Sequence, residues 1–416
     1  MTHFAPELIA QIRDRFAQID HCPVQGPRIF FENAGGALTL KSVVNTSTSY
    51  AAIPDNQGRA NEGSLALNAT IAKAKEDMAR LMNPKGGQFF MGESGSELLF
   101  RIIMNACLHA GGGRVLGTTL EHPASRSATT RWANVAGMDL HLVLHDDATG
   151  HVEAGAYADA VTPDTKVATI LHTSPVTGMG VDVAAISKAI RATAPDCLII
   201  VDGIQHAAHG SMDLAAYDVD AYIISPYKMF SRHGYGIAWI SDRMEAVEHD
   251  ALIDGPSTNW ELGTRDTGAY ATLSDVANYI EWLGAEIDPE NPIKAAGVAI
   301  KAHEKSLTDA MIHGTGNLPG LAQMDGIAIL GGADNPHREG LVSIRMDSIP
   351  SPELVDLLNA QGIRTHLRKA DHYSGNILTP LGFDDCVRIS LCHYNTLGEV
   401  SDFLAAMKTL TERPAP

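Results

Sequence analysis

From residue 85 to residue 240 the chain alternates short apolar runs with longer amphipathic ones, and this alternation limits the fold more than any other feature. Strand candidates are Gln88–Met91, Arg114–Thr118, Asp139–Leu144, Val167–His172, Leu198–Val201, Ala221–Ser225 and Gly236–Ile240. Helical patterns at Glu97–His109, Ser125–Ala136 and Val183–Ala194 separate several of them. Strands joined by helices of this length build a mostly parallel sheet covered on both faces, an α/β fold that places ligands at the carboxyl ends of its strands. Long helices are predicted at Leu273–Gly284 and Pro292–His313, then shorter elements at Ile327–Leu330, Gly340–Met346, Pro352–Gln361, Val387–His393 and Gly398–Leu410. A natural break lies at Asp288–Pro292, which holds two prolines in five residues. The expected organisation is an N-terminal helix (1–30) packing with the small domain, a large domain (31–287) and a smaller C-terminal α+β domain (288–416). That first helix gathers Phe4, Leu8, Ile9, Ile12 and Phe16 on one side.

At 416 residues the chain is long enough for two domains with a substantial core. A formal charge of −18 argues against nucleic acid or an anionic membrane as partner. No run of eighteen apolar residues occurs, and the N-terminus carries acidic residues and no apolar h-region, so a cytoplasmic protein is expected. Cys22, Cys107, Cys197, Cys386 and Cys392 are scattered without a CxxC pair. They read as free thiols, and no metal site is expected.

Chemistry concentrates between Leu198 and Ile240. One apolar strand ends in Asp202, and the next, AYIIS, ends just before Lys228. Taken singly, these would read as a helix-capping aspartate and a surface lysine. Together, at adjacent strand ends, they match what pyridoxal 5'-phosphate requires: an amine for its aldehyde and a carboxylate for its ring nitrogen.

The same stretch resembles the signature of the class V aminotransferase and cysteine desulfurase family, of fold type I among pyridoxal-phosphate enzymes. The residues carrying the resemblance are Val201-Asp202-Gly203-Ile204-Gln205, then His209, then Ser225-Pro226-Tyr227-Lys228. The resemblance implies Asp202 at the pyridine nitrogen, Gln205 at the ring hydroxyl oxygen, Ser225 and Tyr227 at the phosphate, and Lys228 at the aldehyde. The family has histidine where Tyr227 stands. Leu120-Glu121-His122 matches the block whose histidine stacks on the cofactor ring and shuttles protons. Ser94-Gly95-Ser96-Glu97 opens a helix whose N-terminal N–H groups suit a phosphate, Gly95 and Ser96 being the candidates, although an ordinary capped helix reads the same way. Asn33-Ala34-Gly35-Gly36 resembles the loop that approaches the substrate. Trp260-Glu261-Leu262-Gly263-Thr264 matches a block whose threonine reaches the neighbouring subunit's phosphate, which implies a homodimer. Val387-Arg388-Ile389-Ser390, before His393-Tyr394-Asn395-Thr396, matches the strand whose arginine grips the substrate α-carboxylate. The matches run from about residue 30 to residue 400.

Two departures bear on activity. Where the most similar desulfurase branch has its persulfide-forming cysteine, Arg368-Lys369-Ala370-Asp371-His372-Tyr373 offers Tyr373, a catalytic candidate of unlike chemistry. Where the family has an asparagine facing the ring hydroxyl, this chain has Pro175, without a side-chain amide. The sequence therefore points to a pyridoxal-phosphate enzyme acting on a small amino acid. A β-eliminating carbon–sulfur lyase without the persulfide cysteine is the first expectation, and transamination or racemisation the alternatives. A non-catalytic scaffold would have no need of both Asp202 and Lys228.

Overall fold

The structure, a computed structural model, describes residues 4–412. All seven strands expected between residues 85 and 240 form one sheet. They are β1 (Gln88–Gly92), β2 (Arg114–Thr118), β3 (Asp139–Val143), β4 (Thr165–Leu171), β5 (Leu198–Asp202), β6 (Ala221–Ile224) and β7 (Gly236–Ile240). Their order is β1-β7-β6-β5-β4-β2-β3. The run from β6 to β3 is parallel, and β7 lies antiparallel to both its neighbours. Alternate residues of one strand feed two separate cores: Ile199 and Val201 of β5 face one apolar layer, Ile200 the other. Burial on both faces explains why β5 reads as an unbroken apolar run. β3, at the sheet edge, keeps polar residues exposed.

Helices α4 (Gly95–Ala110), α5 (Pro123–Val135) and α6 (Val183–Thr193) cover the sheet. Ahead of them, α2 (Lys41–Ala51) and α3 (Glu62–Met82) pack against α7 (Thr267–Ala285) through Val43, Ala74, Met78, Leu273 and Val276. α7 turns tightly into α8 (Pro292–His313) at Gly284, where a Cβ would lie 1.6 Å from the Pro292 carbonyl oxygen.

A second, antiparallel sheet of order β8-β9-β11-β10 is built from β8 (Ile327–Ile329), β9 (Leu341–Met346), β10 (His366–Lys369) and β11 (Asp385–Ser390). α9 (Ser351–Ala360) and α10 (Leu397–Thr411) cover it around Val342, Ile344, Leu354, Phe403 and Leu404. α8 serves both cores: Ala296 and Ile300 pack with the large sheet's layer, Leu307 and Met311 with the small one.

The N-terminal helix α1 (Pro6–Asp14) does not sit on the small sheet alone. Ile12 and Phe16 bury in the large sheet's layer, and Arg13 Nη1 donates to the Tyr394 carbonyl at 2.7 Å and to Glu399 at 3.2 Å. Ile29–Phe30 then pairs in parallel with Ile363–Arg364. Among the described residues, no helix is long and apolar enough to cross a membrane.

Candidate active site

β5 delivers Asp202 to the sheet's carboxyl edge, and Gly203 follows because no side chain fits there: a Cβ would lie 2.1 Å from the Tyr222 ring. β6 ends at Ile224, and a single 3-10 turn over Pro226–Lys228 brings the lysine beside it, with the Lys228 N–H donating to the Ser225 carbonyl at 2.9 Å. Ser96, His122, Asp202, Gln205, Ser225 and Lys228 line one cleft of about 360 Å³, with Tyr227 and Pro175 at its wall.

Lys228 Nζ donates to Gln205 Oε1 at 3.2 Å. Burial pushes its amine down to about 7; Arg388 and Arg368 act in the same direction, against Asp202. The Asp202 carboxyl, pushed up to about 6 by burial, is held down only in part by the Ile204 N–H and by Lys228. His122 caps α5, its Nδ1 accepting the Ala124 N–H at 3.2 Å. Its remaining proton therefore sits on Nε2. Burial, then Lys228 and Arg368, push the ring's pKa down to about 4, so it is neutral at physiological pH.

α4 opens against the same cleft. Ser94 caps it by accepting the Glu97 N–H at 3.1 Å, and a Cβ on Gly95 would stand 2.4 Å from Ser225 Oγ. The cleft thus offers an amine held near neutrality, an enclosed carboxyl group and a helix N-terminus of small residues. This donor set fits pyridoxal 5'-phosphate at all three of its functional ends.

The other candidates differ in placement. Arg388, on β11, is fully buried, and Nη1 donates to the Pro175 carbonyl at 2.9 Å. Burial and the neighbouring Arg368 lower its pKa to about 9. The loop at Asn33 does approach the cleft, but through its glycines: a Cβ on Gly35 would lie 3.6 Å from Arg388 Nη2, and one on Gly36 3.2 Å from the Tyr227 ring. The Asn33 side chain, expected to meet substrate, is instead spent on the fold. Its Nδ2 donates to the Ser390 carbonyl at 2.8 Å, and its Oδ1 accepts the Tyr394 hydroxyl. Thr264 is exposed on the connection before α7, away from the cleft lining. Tyr373 is 51% exposed on the loop after β10, its ring tilted at 42° against His372, and also outside the lining. Asn376 ties that loop to the cleft's edge by donating to the Thr119 carbonyl at 2.8 Å.

A family model described as "Aminotransferase class-V" matches residues 29–403. The chain belongs to that family. Similar proteins include a probable cysteine desulfurase of Halobacterium salinarum, 26% identical over 93% of this chain and 92% of the relative. Another, from Pseudomonas putida, is 25% identical over 83% of each chain. Among solved structures, the apo cysteine desulfurase of Thermococcus onnurineus superposes with a TM-score of 0.81 at 20% identity, covering 99% of this chain and 100% of that one. The cysteine desulfurase CsdA of Escherichia coli gives 0.77 at 20% identity, covering 97% and 98%. The fold is that of fold type I pyridoxal-phosphate enzymes. Class V members use pyridoxal 5'-phosphate, and this chain is an enzyme of that kind.

Behind the cleft of this class V enzyme lies a buried polar layer in which Gln205 and His209 of the motif meet partners that motif reading passes over. His209 Nδ1 stands 2.7 Å from Glu304 Oε2 on α8, and His209 Nε2 lies 3.1 Å from Gln205 Nε2. Glu339 faces His206 Nδ1 at 3.0 Å and accepts from Thr173 Oγ1 at 2.7 Å, while His206 stacks on His172 at 3.6 Å. The available signal is a charge out of place: Glu304 occupies the same helical face as Ile300, Leu307 and Met311, all apolar and buried.

Proposed function

We propose that the protein is a lyase that removes a β-substituent from a small α-amino acid without a persulfide-forming cysteine. The observation that carries this reading is Tyr373, which stands where the resemblance expects the sulfur-accepting thiol. Cys107, Cys197, Cys386 and Cys392 are all buried, and burial pushes the first three up to about 12. A phenol cannot carry sulfane sulfur, so the leaving group departs unaided or to water or an added thiol.

In this reading Asp202 holds the cofactor's ring nitrogen, Gln205 faces its ring oxygen, and Lys228 meets its aldehyde. Ser225, Tyr227 and the N–H groups of Gly95 and Ser96 hold its phosphate. Bound there, the cofactor supplies an electron sink for charge developing at the substrate Cα. Arg388 grips the α-carboxylate, and the Gly35–Gly36 backbone closes over it. The Lys228 amine, about half of it deprotonated at pH 7, takes the Cα proton. The bond from Cβ to its substituent breaks with both electrons on the departing group, and His122, neutral with its proton on Nε2, faces the cofactor ring as donor. The active unit is a homodimer in which Thr264 reaches the partner's phosphate.

Product analysis by mass spectrometry tests the reaction. The loaded enzyme is incubated with cysteine, cysteine sulfinate, cystine and unsubstituted amino acids. Pyruvate and ammonia from the β-substituted substrates are expected. A keto acid that keeps its side chain would establish transamination and sink the lyase reading. Lys228→Ala abolishes the visible cofactor absorption; an intact band would remove the lysine's assignment.

A further inference from the structure

We infer that His209, held by Glu304, is a positioning residue that decides which end of the Gln205 amide faces Lys228 and the cofactor's ring oxygen. The inference rests on the proposed placement of Gln205 beside that oxygen and deepens it. Four groups run in one unbroken contact chain: Glu304 Oε2 to His209 Nδ1 at 2.7 Å, His209 Nε2 to Gln205 Nε2 at 3.1 Å, and Gln205 Oε1 to Lys228 Nζ at 3.2 Å. Glu304, His209 and Gln205 are all buried, so bulk water does not complete any of these bonds.

An amide has one donating end and one accepting end, and so each end's partner fixes the other. With a proton on Nδ1 alone, His209 donates to Glu304 and its bare Nε2 accepts from the Gln205 NH₂. The carbonyl Oε1 then faces Lys228, which is the arrangement in the structure. With a second proton on Nε2, the ring must donate to Gln205, the amide turns over, and the NH₂ faces the ring oxygen instead. A donor there favours that oxygen as an anion; a carbonyl there opposes it.

The surroundings set the balance. Glu304 lies on α8, Glu339 on the segment before β9 with its own partner His206, Lys228 on the turn after β6, and His393 and Cys392 beyond β11. Glu304 and Glu339 favour the second proton, Lys228 and burial oppose it, and the net direction for His209 is upward. His393, pushed far down by burial and by its histidine neighbours, is neutral, and so is Cys392. Glu339 contacts His206 directly and acts on His209 from farther off, whereas Glu304 contacts His209 itself. Packing fixes the pair: a Cβ on Gly340 would sit 2.7 Å from Glu304 Oε2 and 3.1 Å from His209 Nδ1.

Two readouts test this. In cofactor-free protein, ¹⁵N NMR of the histidine rings follows the His209 titration. Wild type is expected to keep the second proton above the ordinary histidine pKa, and Glu304→Gln to lose it at least tenfold more readily. In loaded protein, the pH midpoint of the visible absorption moves upward by about one unit in Glu304→Gln, because the donor to the ring oxygen is gone. Gln205→Met reproduces that shift alone, and adding Glu304→Gln to it changes nothing further. Should Glu304→Gln fail to fold, the wild-type NMR titration and Gln205→Met still decide. An unshifted His209 pKa, or a midpoint that Glu304→Gln moves equally with Gln205 replaced, overturns the inference. An unmoved midpoint in Gln205→Met, with the band still lost in Lys228→Ala, would instead strike at the placement of Gln205.

Discussion

Lys228 pays the cost of its burial in the cofactor-free protein, and that cost is measurable. Its amine titrates near 7 in the fold and near the model-peptide value of about 10.4 when unfolded. Between these values the unfolded chain binds the extra proton, so stability attributable to this residue rises with pH from about 7 to 10 and is lowest below 7. Three units correspond to roughly 4 kcal/mol at one unit per 1.4 kcal/mol. Cofactor-free Lys228→Met is therefore expected to be more stable than wild type by a few kcal/mol at pH 7, a difference that vanishes by pH 10. Urea melts at both pH values check it; a constant difference would mean that the lysine stays charged in the fold. At this scale the placement of Asp202 and Lys228 was legible from sequence because strand ends are visible in the apolar pattern, and it was the pair at adjacent ends, not either residue alone, that stood out. The role of Asn33 was not legible. Whether a loop asparagine turns its amide to substrate or to backbone depends on Ser390 and Tyr394, more than 350 positions away.

At the scale of elements, α4 is where sequence and site meet most tightly. Its first turn has no intrahelical partner for its N–H groups, and its sixteen residues add the helix dipole to the same end. Gly95 sits against Ser225 Oγ and Ile204, so a methyl group there must displace one of them. Gly95→Ala is expected to leave the fold intact and to weaken cofactor binding by tenfold or more, since a charge-assisted hydrogen bond contributes about 1.5–3 kcal/mol. Cofactor titration followed by absorbance checks it, and unchanged affinity would move the phosphate off this helix. The covered strands of the large sheet were readable because burial on both faces forces apolar runs. β10, His366–Lys369, was not. It is a short edge strand, three of its four residues polar, that pairs on one side only, with β11. The reversed direction of β7 was equally hidden, because a strand's pattern is the same read in either direction.

For the whole molecule, both sheets reach one cleft: Asp202 and Lys228 line it from the large sheet, and Arg388, from the small one, donates to the carbonyl of Pro175 in its wall. The proposed homodimer turns on the segment before α7. Its ends are pinned: Glu261 accepts the Met91 N–H at 2.9 Å, and Asp266 caps α7 through the Gly268 N–H at 2.8 Å. Between these posts Gly263 takes a φ of +75°, and Thr264 projects into solvent with no partner in its own cleft. Just upstream, Leu252 and Ile253 are 71% and 94% exposed, an apolar pair that a second chain would cover. In the proposed dimer this exposed hydroxyl completes a neighbour's site. Two variants separate the consequences. Thr264→Val keeps the dimer by sedimentation but lowers cofactor affinity about tenfold or more, the effect of one hydrogen bond to a charged group. The double variant Leu252→Asp, Ile253→Asp yields monomers and lowers affinity at least as far, because the partner's threonine leaves with the partner. If the monomer binds cofactor as tightly as wild type, each chain builds its site alone and Thr264 has no part in it.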